Sequence, residues 1–237
     1  MQTRSHEKEL MDAPLLQPES LYKNLDEIRF INRFTAFYSI QLKLINSLIP
    51  KSMEQFELVD LGCGGGDFLN YLIKNEKRLT GKPLLSGLDT EFHAINYAQK
   101  KFPSLKKRVN WINKDYKSWL KSDEETDIIC CNLFCHHLTD AEIIELLIQG
   151  SKKARLGIII NDLHRHSVAY YFIKITTQLF SSSEYTKHDA PLSVKRSFTR
   201  NDWFNYCNEV NLVRGDIDWN IRWLPTFRFL IRGKKII

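Results

Sequence analysis

The residues that most restrict the fold are the eight from Asp60 to Asp67, DLGCGGGD, four of which are glycine. They follow a short apolar run, Phe56 to Leu61, and precede a segment with Phe68, Leu69, Leu72 and Ile73 on one helical side. A strand that turns through glycines into a helix opens an α/β sheet, and ligands of such sheets collect at the carboxyl edge, where the turn lies. Glycine has no Cβ, so the backbone there can approach a ligand closely.

The alternation continues down the chain. Pro83 to Leu88, Asn110 to Ile112, Asp127 to Asn132 and Arg155 to Ile160 read as further strands. Between them, Phe92, Ile95 and Ala98 mark a helix that stops near Pro103, and Thr139, Asp140, Ala141, Glu142 spells a capping box before another. An aromatic helix is expected from about Ser167 to Phe180, and the polar stretch Ser181 to Pro191 reads as a mobile lid. Asp216 to Trp223 and Phe227 to Gly233 are joined by three residues, too few for a crossover, so they form a hairpin that adds one antiparallel strand to a parallel sheet. Ahead of the first strand, residues 1–20 carry Pro14 and Pro18 and read as a loose arm. Ile28, Ile31, Phe34, Tyr38, Leu42 and Ile45 then predict one or two helices closed by Pro50. The chain divides into residues 1–50, an arm and helical cover, and residues 51–237, one α/β domain.

Composition excludes disorder and low complexity, with 43% hydrophobic and 26% charged residues in 237. The net charge is +6, yet the basic residues are scattered in short clusters such as Lys106 to Arg108 and Lys152 to Arg155, which argues against a nucleic-acid partner. Five cysteines, an odd number, and no apolar leader point to a reducing, cytoplasmic setting. The longest apolar run, Ile128 to Cys135, falls far short of the roughly 20 residues of a membrane span.

Counting from Gly62, a dinucleotide fingerprint would need its third glycine at position 67, where an aspartate stands. That carboxylate and Asp60 would repel a pyrophosphate; they suit a cationic ligand without phosphate. Here the sequence resembles the class I S-adenosylmethionine-dependent methyltransferases, whose first motif is an acid followed by glycines at alternate positions. The resemblance covers roughly residues 56–237 and implies a Rossmann-like, doubly wound, seven-stranded sheet, mostly parallel with an antiparallel C-terminal strand, plus N-terminal helices. It also implies S-adenosylmethionine as cofactor, held by Asp60, Gly62, Cys63 and Gly64 in the loop and by Asp89 and Thr90 after the second strand, with Asp89 on the ribose hydroxyls. Asp115 and Tyr116 fall where the family binds adenine, Asn132 where it lines the methionine end, and Arg33 or Arg29 could hold the methionine carboxylate.

A hydroxyl acceptor needs a base, since a phenol of pKa about 10 is protonated at neutral pH. Of the seven histidines, His136 and His137 follow the fourth strand, and His136 matches the general base of plant small-molecule O-methyltransferases, which have an acid where this chain has His137. Asp162, His164 and His166 follow the fifth strand, where alternation places them on one face, an acid able to orient a histidine. The candidate catalytic residues are thus His136, His164 and His166. No metal set is read: Cys130 and Cys131 point to opposite faces, and an asparagine stands at 132 where catechol-type relatives place an acid. Val168, Tyr170, Tyr171, Phe172 and Ile175, with Trp219 and Trp223, are the candidate wall of an apolar acceptor pocket. The expected function is methyl transfer to a small, largely apolar acceptor, phenolic or polyketide-like, as in secondary metabolism. The alternatives are an RNA or protein substrate, or cofactor binding without activity.

Overall fold

The computed structural model describes residues 1, 3–12, 18–34 and 37–236; Pro14 of the arm and the side chain of Phe34 lie outside these. Two helices, α1 (Pro18–Phe34) and α2 (Phe37–Leu48), precede the strand β1 (Gln55–Leu61). Then follow α3 (Asp67–Lys74), β2 (Lys82–Asp89), α4 (Phe92–Lys101), α5 (Pro103–Lys106), β3 (Val109–Asn113), α6 (Tyr116–Leu120) and β4 (Thr126–Asn132). The second half holds α7 (Asp140–Lys153), β5 (Ala154–Leu163), α8 (Ser167–Phe180), α9 (Glu184–Arg196), α10 (Arg200–Arg214), β6 (Ile217–Leu224) and β7 (Arg228–Lys235).

The seven strands form one sheet in the order β3-β2-β1-β4-β5-β7-β6. Strands β1 to β5 pair in parallel, and β7 runs antiparallel to both β5 and β6. The expected seven-stranded, doubly wound architecture is therefore present. Side chains alternate between two apolar cores: Ile128 and Cys130 of β4 face the one closed by α2 and α3, Ile129 and Cys131 the one closed by α7 and α10. Each buried leucine or isoleucine there contributes roughly 1.5–3 kcal/mol. Thr139 and Glu142 make the expected capping box of α7, and Thr199 with Asp202 makes another on α10.

Two expectations change. The stretch from Ser181 to Pro191 is no lid, because most of it lies in α9 with Thr186 and Asp189 buried. Residues 3–12 are no loose arm: Asp189 accepts hydrogen bonds from the Leu10 and Met11 amides, and Arg4 donates to the Arg196 and Leu138 carbonyls. Arg165, just ahead of α8, is likewise buried and donates to the Ser197 carbonyl. In all three places polar side chains are buried because they satisfy one another. No helix among the described residues is long and apolar enough to cross a membrane.

Candidate active site

A cavity of about 1460 Å³ lies at the carboxyl edge of β1, β2, β4 and β5, roofed by α1, α8 and residues 9–12. Its glycine loop is shaped by local sterics. Gly62, Gly64 and Gly66 all have positive φ, and a Cβ on Gly62 would stand 2.3 Å from the Phe134 ring. The loop is pinned by the Gly62 and Cys63 amides, both donating to the Leu88 carbonyl at 2.8 and 3.0 Å.

At this end the residues singled out for the cofactor come together. Gly62, Cys63, Gly64, Asp60, Asp89, Thr90, Asp115, Tyr116 and Asn132 all line the cavity. Asp60 is 1% exposed and accepts a hydrogen bond from Asn132 Nδ2 at 3.0 Å. Burial pushes its carboxyl up to about 8, against the pull of that hydrogen bond, and the charges of Asp67 and Asp89 add to the rise. Asp89 accepts from the Gly64 amide at 2.8 Å and the Glu91 amide at 2.9 Å; burial raises its carboxyl, which these two bonds partly offset. Each oxygen keeps a lone pair for a further donor such as a ribose hydroxyl. Asp115 caps α6 through the Ser118 amide, and the Tyr116 hydroxyl is buried without a partner, its ring edge-on to Phe134.

Acids that are costly to ionise alone, glycines open to a ligand and an orphaned phenol fit a cationic, ribose-bearing group such as S-adenosylmethionine. Arg33 departs from the expectation, being exposed and outside the cavity wall, while Arg29 lines it but pairs with Asp26 at 2.9 Å. The buried cation here is Arg228 at the start of β7, which donates to Asn32 Oδ1 at 2.9 Å. Sequence reading missed it because arginine at a strand start carries no local signal.

At the other end lies the candidate chemistry. His136, on a single 3-10 turn after β4, is 4% exposed, and its Nδ1 is 2.7 Å from Asp162 Oδ1. The other Asp162 oxygen accepts the His136 amide at 3.2 Å. Burial alone would raise the Asp162 carboxyl; the His136 charge and hydrogen bond outweigh it and hold the group below the usual range. Asp162 therefore orients His136 and not the histidines that follow it in sequence. His164 lines the cavity, but its Nδ1 accepts from Trp223 Nε1 at 3.2 Å, and burial followed by the neighbouring His166 and Arg165 lowers its pKa. His166 is the cap of α8, accepting the Val168 amide, and does not line the cavity. Its expected catalytic role is not supported by this placement.

Two acids reach this end from the N-terminal segment, where the sequence reading placed none. Glu9 Oε1 lies 3.7 Å from His136 Nε2 and Glu9 Oε2 4.0 Å from His137 Nε2, while Asp12 Oδ1 stands 3.0 Å from His137 Nδ1. Ligand atoms of Glu9, His136 and His137 lie within 4.8 Å of one another, a grouping of metal-ligating type. Along the wall, α8 contributes Val168, Ala169, Phe172, Ile173 and Phe180, whereas Tyr170, Tyr171, Ile175, Trp219 and Trp223 lie outside the lining. The Trp219 ring instead covers Gly233.

Residues 58–152 match the methyltransferase domain family. Among solved structures, the chain resembles the plantazolicin methyltransferase BpumL in complex with SAH, with 19% identity over 93% of this chain and 89% of that one, at a TM-score of 0.62. It also resembles the plantazolicin methyltransferase BamL, solved with a triazolic desmethylPZN analog and SAH (15% identity, 93% and 98% covered, TM-score 0.64). A third is magnesium protoporphyrin IX methyltransferase from Synechocystis with bound SAH (12% identity, 92% and 84% covered, TM-score 0.52). No curated protein sequence matches. Residues 58–152 thus match a methyltransferase domain, and the fold of the chain is the one these methyltransferase structures share.

Proposed function

We propose that this chain transfers a methyl group from S-adenosylmethionine to a hydroxyl of a small, largely apolar acceptor, phenolic or polyketide-like, with His136 as general base. The observation that carries the reading is the Asp162–His136 pair, in which His136 lines the cavity and Asp162 is buried behind it. An ionised Asp162 can only accept, so Nδ1 keeps the proton and Nε2 keeps the lone pair that takes a hydroxyl proton. When bound, the cofactor supplies a methyl group on a cationic sulfur, to which the acceptor oxygen bonds as the sulfur leaves with the bonding pair.

The chain's own residues do the rest. Asp89 accepts the ribose hydroxyls in this reading, Asp60 with Asn132 faces the cationic methionine end and Tyr116 meets the adenine; their shared lining of the cavity and the Asn132–Asp60 hydrogen bond support it. Phe172, Ile173 and Phe180 give the acceptor side an apolar lining, which favours an apolar ligand over a charged one. Arg108 pairs with Glu76 and Arg155 with Asp127, so each of these short basic clusters has one member neutralised, which supports a small molecule over nucleic acid. Five free, buried cysteines agree with a cytoplasmic setting, and residues 1–50 are read as cover to a domain of residues 51–237.

The test is methylation of a panel of phenols and enol-bearing polyketide analogues beside amines and thiols, followed by mass spectrometry, with cofactor affinity measured by calorimetry. Oxygen-linked methyl products that disappear in His136→Ala, with cofactor affinity retained, are expected. Products only on nitrogen or sulfur, or full activity in His136→Ala, would overturn the reading.

A further inference from the structure

Glu9 is the most deeply buried acid of the N-terminal segment, 3% exposed, and its position is not explained by anchoring. The segment is already tied down by Asp189 on the Leu10 and Met11 amides and by Arg196, which donates to the Glu7 carbonyl and to Asp12 Oδ2 at 3.0 Å each. A neutral side chain could accept the one hydrogen bond Glu9 Oε1 takes from Ser193 Oγ at 2.9 Å. Burying a carboxylate costs free energy unless a cation faces it.

What faces it is the histidine pair. His136 Nε2 lies 3.7 Å from Oε1, His137 Nε2 4.0 Å from Oε2, and Arg196 Nε 3.9 Å from Oε1. The remaining charged neighbours are Asp12, on His137, and Asp162, on the far nitrogen of His136. The His136 ring thus sits between two carboxylates, Asp162 bonded at Nδ1 and Glu9 beyond Nε2, the nitrogen assigned to the acceptor proton. Both Glu9 and His136 line the cavity.

We propose that Glu9 is a positioning residue for the His136 base, stabilising the imidazolium formed when Nε2 takes the acceptor proton and receiving that proton once the product leaves. The inference rests on the hydroxyl-acceptor reading. In the first step the acceptor O–H bond breaks, its electron pair stays on oxygen, and an N–H bond forms at Nε2. In the second that N–H bond breaks and the proton passes to a Glu9 oxygen, then to solvent, restoring neutral His136. Burial pushes the Glu9 carboxyl up to about 6, against the pull of His137, Ser193 and Arg196.

The test compares wild type with Glu9→Gln, which keeps the size and the Ser193 hydrogen bond, on two phenols of different acidity. With a phenol of pKa about 10, kcat should fall roughly tenfold to a hundredfold, part of the 10²–10⁴ that a general base contributes. With an acidic phenol of pKa about 7, already half ionised in neutral buffer, the loss should shrink to about threefold or less. Cofactor affinity should be unchanged, the acid limb of kcat/KM should move to lower pH, and Glu9→Asp should recover part of the rate. Equal losses on both phenols, or none, would overturn the inference while leaving the hydroxyl reading intact. So would a bound divalent ion in purified wild type whose removal by chelator abolishes activity, since Glu9, His136 and His137 would then be its ligands. A wild type that binds cofactor yet methylates no phenol would overturn the parent reading and this inference together.

Discussion

Replacing Asp162 with asparagine tests whether His136 owes its function to its tautomer. Asp162 is fully buried; its Oδ1 accepts from the Leu163 amide at 2.8 Å and faces His136 Nδ1 at 2.7 Å, while Oδ2 accepts the His136 amide. An asparagine has one acceptor end for these three donors. With its nitrogen toward the His136 amide, two N–H groups collide; with its nitrogen toward Nδ1, the amide of Leu163 is orphaned and the imidazole is driven to carry its proton on Nε2. The second arrangement removes the lone pair that would take the acceptor proton. Losing the base altogether is worth roughly 10²–10⁴ in rate, or about 3–6 kcal/mol of barrier at about 1.4 kcal/mol per decade. Stability should fall by about 1–3 kcal/mol, the cost of one unsatisfied buried group. The assay is steady-state methylation of a phenol with pKa about 10, with calorimetry for cofactor affinity and thermal unfolding to confirm the fold. A kcat within about threefold of wild type in a folded Asp162→Asn protein would refute the argument, as would a rate loss that follows cofactor affinity alone.

Gly62→Ala should abolish cofactor binding in calorimetry and lower Tm, because a Cβ at φ 67° would stand 2.3 Å from Phe134 and displace the ring that packs on Tyr116. Asp60, raised to about 8 in the fold against about 3.9 unfolded, binds its proton more tightly when folded, so its contribution to stability is complete below about pH 4 and lost as pH rises through about 8. Unfolding of the cofactor-free protein should therefore show Tm declining across that upper range in wild type, with Asp60→Asn flatter; parallel curves would count against the assignment. Phe172→Ser, at the cavity mouth, should raise KM for apolar acceptors severalfold and leave cofactor affinity alone, and a change confined to cofactor affinity would show that α8 walls the wrong end.

What could be read in advance followed from local rules. The glycine loop needs positive φ at Gly62, Gly64 and Gly66, and only one residue type supplies that without strain, so the turn from β1 into α3 was legible. The capping box at Thr139 and the three-residue link between β6 and β7 were equally local. The cofactor end was legible because its residues sit at fixed offsets from strand ends. The partner of Asp162 was not: alternation along β5 pointed to His164 and His166, whereas the chain turns after Leu163 and His166 is used as a cap. Arg228 and Glu9 lie far from the motif in sequence and are brought to it only by the sheet order and the packing of residues 3–12.

The failures share a physical cause that also locates the chemistry. Hydropathy detects a helix by its apolar inner face, but α9 turns Thr186, Asp189, Ser193 and Arg196 inward, and each is paired there: Thr186 with Asn24, Asp189 with two amides, Ser193 with Glu9, Arg196 with the His136 and His137 carbonyls. Such a network gains little net stability over an apolar core of equal volume, because every member must first be desolvated. It does fix geometry. Arg196 holds the His136–His137 turn by its carbonyls while Glu9, bonded to the same helix, is held beside His136 Nε2, so one rigid element sets both the base and its carboxylate partner. A core repacked with leucine at these positions could keep the fold and lose that register, and this is why the region least readable as structure is where the proposed proton transfer is placed.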